Sequence, residues 1–313
     1  MKEKISFVIP CYNSENTVSM VIDEIEQECA KAGYSKYEII AVNDCSPDNV
    51  IDVLANRARN DEKVKVIDLS INGGKHSALM AGFKFAKGDF IVCVDDDMQC
   101  PMNRIADLIE PLTNGYDVSM ALYAKKKESF IKRCGSRFNS LIIEKMLNKP
   151  KELVFSNFVA RKKFVCQEMI KYTHAYPYLE GLTLRVTRNI KQVPMEERER
   201  ISGSSGYTLK KSLHLLVNGL TAFSVKPLQI GSALGSIMSI GGVLLGIVQI
   251  IRKIINPNIM AGYTSLIAVN LFIGGAILLC LGLIGEYVGR IYLCINRMPQ
   301  YVIKNTINME DNI

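Results

Sequence analysis

The 313-residue chain has only three histidines and no Cys-x-x-Cys pair, and its nine cysteines are scattered and odd in number. That excludes a zinc cluster or a disulfide framework and suits reduced thiols in cytosol. Neither Gly-x-Gly-x-x-Gly nor P-loop spacing occurs, so a dinucleotide dehydrogenase or a nucleoside triphosphatase loses support. The opening MKEKISFVIP has no apolar signal core or small-residue cleavage site, and nothing in it directs the N-terminal part out of the cytosol. Excess charge is modest. A net charge of +7 does not choose between nucleic acid, an anionic membrane and phosphate-bearing substrates. No basic–aromatic stripe accompanies it, so nucleic acid is excluded as a partner.

Apolar residues make up 48% of the chain, enough for a real core. Their distribution changes near Pro227. Before it they come in short runs broken by charge; beyond it Leu228–Ile251 and Tyr263–Gly285 carry 24 and 23 residues without a charge. At about 1.5 Å rise per residue, either run spans about 30 Å of hydrocarbon. Both read as transmembrane helices, and the short RKIINPNIMAG between them makes a hairpin whose flanks face one side. Lys210, Lys211 and Lys226 before it, with Arg290, Arg297 and Lys304 after it, favour the cytoplasmic side, against Arg252 and Lys253 in the turn. Between Thr208 and Ser224, Leu209, Leu213, Leu216, Val217, Leu220 and Phe223 share one helical face, as in an interfacial helix or one packed on the preceding domain.

Upstream, strand-like runs alternate with helical patterns. Ile5–Ile9 precedes a helix with Val18, Val21, Ile22, Ile25 and Cys29 on one face. Glu38–Val42 precedes one around Val50, Val53 and Leu54; Val64–Leu69 one around Leu79, Met80 and Phe83; and Phe90–Val94 one around Ile105, Leu108, Ile109 and Leu112. The alternation predicts an α/β fold with a mostly parallel sheet covered on both faces. Ligands of such sheets bind at the carboxyl ends of the strands, so the loops Cys11–Glu15, Asn43–Asp48, Asn72–Lys75 and Asp95–Gln99 should converge.

The sharpest feature is IVCVDDDMQ, in which an apolar strand ends in Asp95, Asp96 and Asp97. Clustered carboxylates are costly unless a cation or water relieves them, and oxygen ligands suit Mg²⁺ or Mn²⁺ bridging phosphates. A solvated acidic turn is the bland alternative; the position at a strand's carboxyl end favours the metal. In NGGKHSALMAGF two glycines open a helix whose free N–H groups can meet a phosphate.

IPCYNSE, VNDCSPDN, the glycine loop and VDDDMQCP, in this order, resemble the donor-binding signature of family 2 glycosyltransferases. PLQIGSALGSIMSIGGV and GLIGEYVGRIYLCINRMPQY resemble the C-terminal region of its polyprenyl-phosphate group, which includes undecaprenyl-phosphate formamido-arabinose transferases and bactoprenol glucosyltransferases. The resemblance covers nearly the whole chain. It implies a GT-A-like nucleotide-sugar-binding domain over 1–207 in the cytosol, a juxtamembrane helix over 208–227, two transmembrane helices within 228–289 and a cytosolic tail over 290–313, the whole anchored in the cytoplasmic membrane.

The resemblance further implies that Pro10, Tyr12, Asn13, Glu15 and Asp44 hold the nucleoside of a UDP- or GDP-sugar, with Asn72 and the Gly73–Gly74 turn nearby. Asp95 and Asp97 match the pair that binds diphosphate and metal, while Asp96 stands where a small residue is common. RISGSSGY resembles an Arg-x-x-Gly-x-Ser-Lys-Tyr motif whose arginine, here Arg200, neutralises the departing diphosphate; Gly206 replaces the lysine, and Arg198 is a neighbouring cation. Arg133, Ser136 and Arg137 fall where relatives engage the lipid phosphate, a group that arginine forks suit. Their bland reading is a basic helix face drawn to anionic lipid.

Where relatives carry an acceptor-facing aspartate, FSNFVARK has Asn157, which cannot act as a base. A sugar-hydroxyl acceptor would then need another carboxylate such as Glu180. A phosphate monoester, with its second pKa near about 6, is already anionic and needs none. The expected reaction is therefore an inverting, metal-dependent displacement by polyprenyl phosphate. Processive polysaccharide synthases share the donor loops but use Gln-x-x-Arg-Trp, and this chain has no tryptophan. A catalytically silent nucleotide-binding scaffold is the rival from another class. Relatives form homo-oligomers, and no residue pattern fixes a number here.

Overall fold

A computed structural model describes residues 3–123, 149–150, 152–174, 177–196, 198, 226–256, 262–295 and 298–309. It divides into two compact units, one formed by residues 1–213 with 297–313 and the other by 214–296.

The first unit begins with the four expected strand–helix pairs. They are β1 (Ile5–Cys11) and α1 (Val18–Lys31), β2 (Tyr37–Asn43) and α2 (Val50–Asn60), β3 (Val64–Leu69) and α3 (Lys75–Phe85), then β4 (Phe90–Cys93) and α4 (Ile105–Thr113). After them come β5 (Val118–Tyr123), β6 (Val159–Lys162), α5 (Lys163–Met169), α6 (Leu179–Val186) and β7 (Ile190–Met195). The strands form one sheet in the order β7-β5-β6-β4-β1-β2-β3-β8.

The last strand, β8 (Ile303–Ile307), comes from the segment expected as a tail and lies antiparallel on β3. Val302 O accepts from Ser70 N at 2.9 Å, and the Asn308 amide donates to Ala58 O and, at 2.9 Å, to Val64 O. The sheet is mostly parallel, as expected, but mixed at two strands: β6 runs antiparallel between β4 and β5, as β8 does on β3. Neither reversed strand announces itself locally. VARK is four residues with two charges, and IKNTI finds its partner more than 200 residues away.

Period-2 alternation sends Phe7, Ile9, Ile39, Ala41 and Val92 to one face, where α1 and α4 bury the residues their periodicity selects and α2 buries Val50, Leu54 and Ala58 with Val53 half-buried. The other face receives α3 so closely that a Cβ on Gly82 would lie 2.3 Å from Val8 Cγ1. Only a glycine fits that approach.

The same face carries a buried charge cluster at the foot of the sheet. Glu38, 2% exposed, accepts from Lys4 and Lys65 at 2.8 Å, Ser6 Oγ at 2.6 Å and Lys87 N at 2.7 Å. Burial alone would raise this carboxyl, but these donors outweigh it and hold it at about 2.

The second unit contains α7 (Lys226–Ile255) and α8 (Tyr263–Ile295). They pack on each other where Gly231 leaves room for Leu283, and the Cys280 thiol donates to Gly231 O at 3.7 Å. Within α8, Phe272–Gly289 is long and apolar enough to cross a bilayer, with mean hydropathy 1.8 and none of it buried. Phe272, Leu278 and Leu281 stand outward at more than half exposure.

A depressed carboxyl stabilises the fold fully above the unfolded value near ~4.3, and that contribution disappears as pH falls towards about 2. Glu38→Gln strands two lysines and is expected to cost about 3 kcal/mol. It should also flatten the acid limb of a thermal-melting series on the full chain. An unshifted melting temperature at neutral pH would rule the cluster out as a stabilising element.

Candidate active site

At the carboxyl edge of the sheet, four loops bond to one another in a closed ring. The loop after β1 reaches the one after β4: Tyr12 N donates to Asp96 Oδ2 at 3.0 Å, and Thr17 Oγ1 to Asp96 O at 2.6 Å. It also reaches the loop after β2, with Asn13 N on Ser46 Oγ at 2.8 Å, Glu15 N on Asp48 Oδ2 at 2.9 Å and Asn49 N on Glu15 Oε2 at 2.9 Å. Asp44 joins the loop after β2 to the glycine loop by accepting both Gly73 N and Gly74 N at 2.8 Å, while the Asn72 amide donates to Asp44 O. The ring closes where the Lys75 ammonium meets Asp95. Asn13, Cys45 and Met98, one from each of three loops, hold positive φ of 55°, 49° and 62°. Such backbone is costly for these residue types and persists only where its surroundings enforce it.

The expected convergence of the loops therefore holds, with two refinements. The glycine N–H groups do not stand open for a phosphate, because both bond to Asp44, which is itself 2% exposed. Burial raises the Asp44 carboxyl above its usual range, partly offset by those two bonds. Sequence reasoning also missed Lys75 as the partner of Asp95; its signal was a lysine directly after a glycine pair at the start of a helix.

In the acidic triplet the three carboxylates differ. Asp95 and Asp97 are half-buried at the edge, Asp95 paired with Lys75 and Asp97 Oδ1 accepting Gln99 N at 3.2 Å. Asp96 turns inward to Tyr12. Burial, reinforced by Asp95 and Asp97 and partly offset by the Tyr12 N–H, pushes it up to about 6. No three His, Cys, Asp or Glu side chains converge as a metal cage among the described residues. Asp95 and Asp97 offer two hard carboxylate donors, leaving further positions for phosphate oxygens and water, as Mg²⁺ prefers.

Pro10 is buried within β1, next to its last residue, whereas Tyr12 is 47% exposed and meets the acidic loop through its N–H. Asn157 is exposed and, with Phe155 and Ser156, lines a small cleft next to Lys75 and His76. Arg198 bonds through its backbone to Gln99 O at 3.3 Å, but its guanidinium meets Glu24 and Asn103, so it is an engaged structural cation. Arg133, Ser136, Arg137 and Arg200 lie outside the described residues, as do the RISGSSGY segment and the expected helix over 208–224.

Residues 6–171 match the family model for Glycosyl transferase family 2, and residues 226–291 match one described as the GtrB C-terminal hairpin. The chain is 33% identical over 307 residues to an uncharacterized glycosyltransferase, YkcC, of Bacillus subtilis (strain 168), covering 98% of this chain and 95% of that one. It is 30% identical to the undecaprenyl-phosphate 4-deoxy-4-formamido-L-arabinose transferase of Serratia proteamaculans (strain 568), covering 99% and 96%. The chain belongs to glycosyl transferase family 2. Among solved structures, glucosyl-3-phosphoglycerate synthase from Mycobacterium tuberculosis, in complex with Mn²⁺, uridine diphosphate and phosphoglyceric acid, shares the fold. The TM-score is 0.52 at 18% identity, over 70% of this chain and 77% of that one.

Asp44→Asn offers one acceptor and one N–H₂ donor where two glycine N–H groups need acceptors. It should cost about 1–3 kcal/mol locally. Amide hydrogen exchange across residues 72–75 is expected to accelerate about 10-fold or more. Unchanged protection there would mean the glycine loop is held by something other than Asp44.

Proposed function

We propose that this enzyme transfers a sugar, with inversion, from a nucleotide-sugar to a polyprenyl phosphate at the cytosolic membrane face. The observation that carries the reading is the ring of four strand-end loops with Asp95 and Asp97 at its open edge. Likeness over nearly the whole chain to undecaprenyl-phosphate sugar transferases supports it.

In this reading Tyr12, Asn13 and Glu15 line the nucleoside position, with Pro10 and Asp44 beneath it and Asn72 with Gly74 at its side. Asp95 and Asp97 hold Mg²⁺ or Mn²⁺, which would offset the charge of the donor diphosphate. Lys75 keeps Asp95 charge-balanced, and Asp96 fixes the first loop through Tyr12 N. Arg200 neutralises the leaving nucleoside diphosphate, and Arg133, Ser136 and Arg137 hold the acceptor phosphate. That phosphate is its own nucleophile, so Asn157 at the cleft mouth has only to orient, not to remove a proton.

α7 and α8 form a membrane hairpin in this reading. The 24 uncharged residues from Leu228 to Ile251 and the hairpin description of the matched family model support two crossings. Chain connectivity supports the same number. The chain leaves the first unit before residue 214 and rejoins its sheet through β8, so any crossing outward needs one back. The domain bearing the sheet is cytosolic in this reading.

Asn157 is the observation favouring the rival reading, a nucleotide-binding scaffold without turnover. The purified full chain with undecaprenyl phosphate and a panel of labelled UDP- and GDP-sugars separates the two. Lipid labelling is expected with Mg²⁺ or Mn²⁺, abolished by chelator and reduced about 100-fold or more by Asp97→Asn. Nucleotide binding without labelling from any donor would favour the scaffold.

A further inference from the structure

Arg161 is a buried cation whose counter-charge the described residues do not supply. It sits on β6, in register with Ile91 on β4 and Val118 on β5, and is 5% exposed. Its Nη1 donates to Cys93 Sγ at 3.1 Å, a weak acceptor, and its guanidinium lies 5.7 Å from the centroid of the Phe83 ring. Its Nε is buried without a hydrogen-bond partner. Among the described residues no carboxylate comes within ion-pairing distance of it.

Arg161 lines a small cleft together with Lys75, His76, Asn157 and Glu180. One wall is therefore the lysine that meets Asp95, and the mouth carries the asparagine discussed above. Glu180 does not serve as the missing counter-ion. It approaches His76 Nε2 at 3.9 Å, and its Oε2 is likewise buried without a partner. Two unsatisfied polar atoms of opposite character in one cleft, beside the proposed reaction centre, describe a place built for something that arrives.

A water molecule would satisfy the Nε–H and the Glu180 oxygen as hydrogen-bonding groups, yet leave the guanidinium charge unbalanced in a desolvated site. An anionic oxygen group satisfies both needs, since arginine donates to carboxylate or phosphate through a preorganised fork. Glu180 Oε2 then suits a hydroxyl neighbouring that anion.

We propose that the Arg161 cleft is a substrate subsite for one anionic oxygen group, either a carboxylate on the donor sugar or the phosphate of the acceptor. The assignment rests on the reading of the Asp95–Asp97 edge as the donor site. Arg161 binds and selects; it takes no part in bond making.

The test uses the full-length protein in detergent with Arg161→Met and Arg161→Lys, assayed with UDP-glucuronic acid, neutral UDP-hexoses and undecaprenyl phosphate. Arg161→Met is expected to raise one KM about 10-fold or more while kcat changes little, with Arg161→Lys in between. A rise confined to the carboxylate-bearing donor assigns the anion to the sugar. A rise in the lipid KM with every neutral donor assigns it to the acceptor phosphate. Unchanged KM values with only a lower melting temperature would overturn the proposal, leaving Arg161 a structural residue with water in the cleft. If Arg161→Met does not fold, the KM values of Arg161→Lys decide.

Should the wild type transfer no sugar, the function reading fails separately, and calorimetric titration with inorganic phosphate and with glucuronate decides the subsite. Saturable binding of either probe, lost in the arginine variants, retains it; no binding of either overturns it.

Discussion

Negative charge gathered at one edge of a sheet is the constraint around which the catalytic unit is built. Glu15, Asp44, Asp48, Asp95, Asp96 and Asp97 all fall in the loops at the carboxyl ends of β1, β2 and β4. Left to water they would repel one another and the loops would splay. Most of them instead accept backbone N–H groups from a different loop, and charge-assisted bonds of that kind are about twice as strong as neutral ones. Asp48 shows the balance well. Burial acts to raise it, yet Ser46 Oγ and the N–H groups of Glu15 and Val50 hold it below its usual range. The same bonds that tolerate the charge also fix the geometry, because no loop moves without breaking a bond to its neighbour.

This explains which parts of the site were legible in the sequence. Position along a strand places a residue at the sheet edge, so the convergence of the four loops followed from alternation of strands and helices alone. Orientation inside the ring did not follow. Nothing local says that Asp44 turns towards Gly73 and Gly74 rather than towards a ligand, or that Asp96 turns inward while Asp95 and Asp97 stay at the edge. Those choices depend on contacts across 29 to 84 residues of sequence. Arg161 escaped notice for a related reason: an arginine in VARK reads as a solvated strand end until β4 and β5 are seen flanking it on both sides.

The helices tell the opposite story. α1 buries Val18, Val21, Ile22, Ile25 and Cys29, the same five residues that helical spacing selects, because an amphipathic helix states its buried face in its own sequence. A strand of four or five residues makes no such statement. β6 and β8 therefore make a mostly parallel sheet mixed without any contradiction of the local pattern.

β8 has a consequence beyond the sheet. By returning to β3 after the apolar helices, it makes the second unit an insertion between two segments of one folded sheet, rather than a trailing anchor. Ile307 packs against the same core as Val64 and Val66, and the Asn308 amide is tied to backbone at the end of α2 and at β3. Along the chain, both ends of the helical pair thus lead back to the sheet-bearing unit. The strand that completes the sheet is therefore encoded after the apolar helices, and the sheet-bearing unit is assembled from two stretches of chain far apart in sequence.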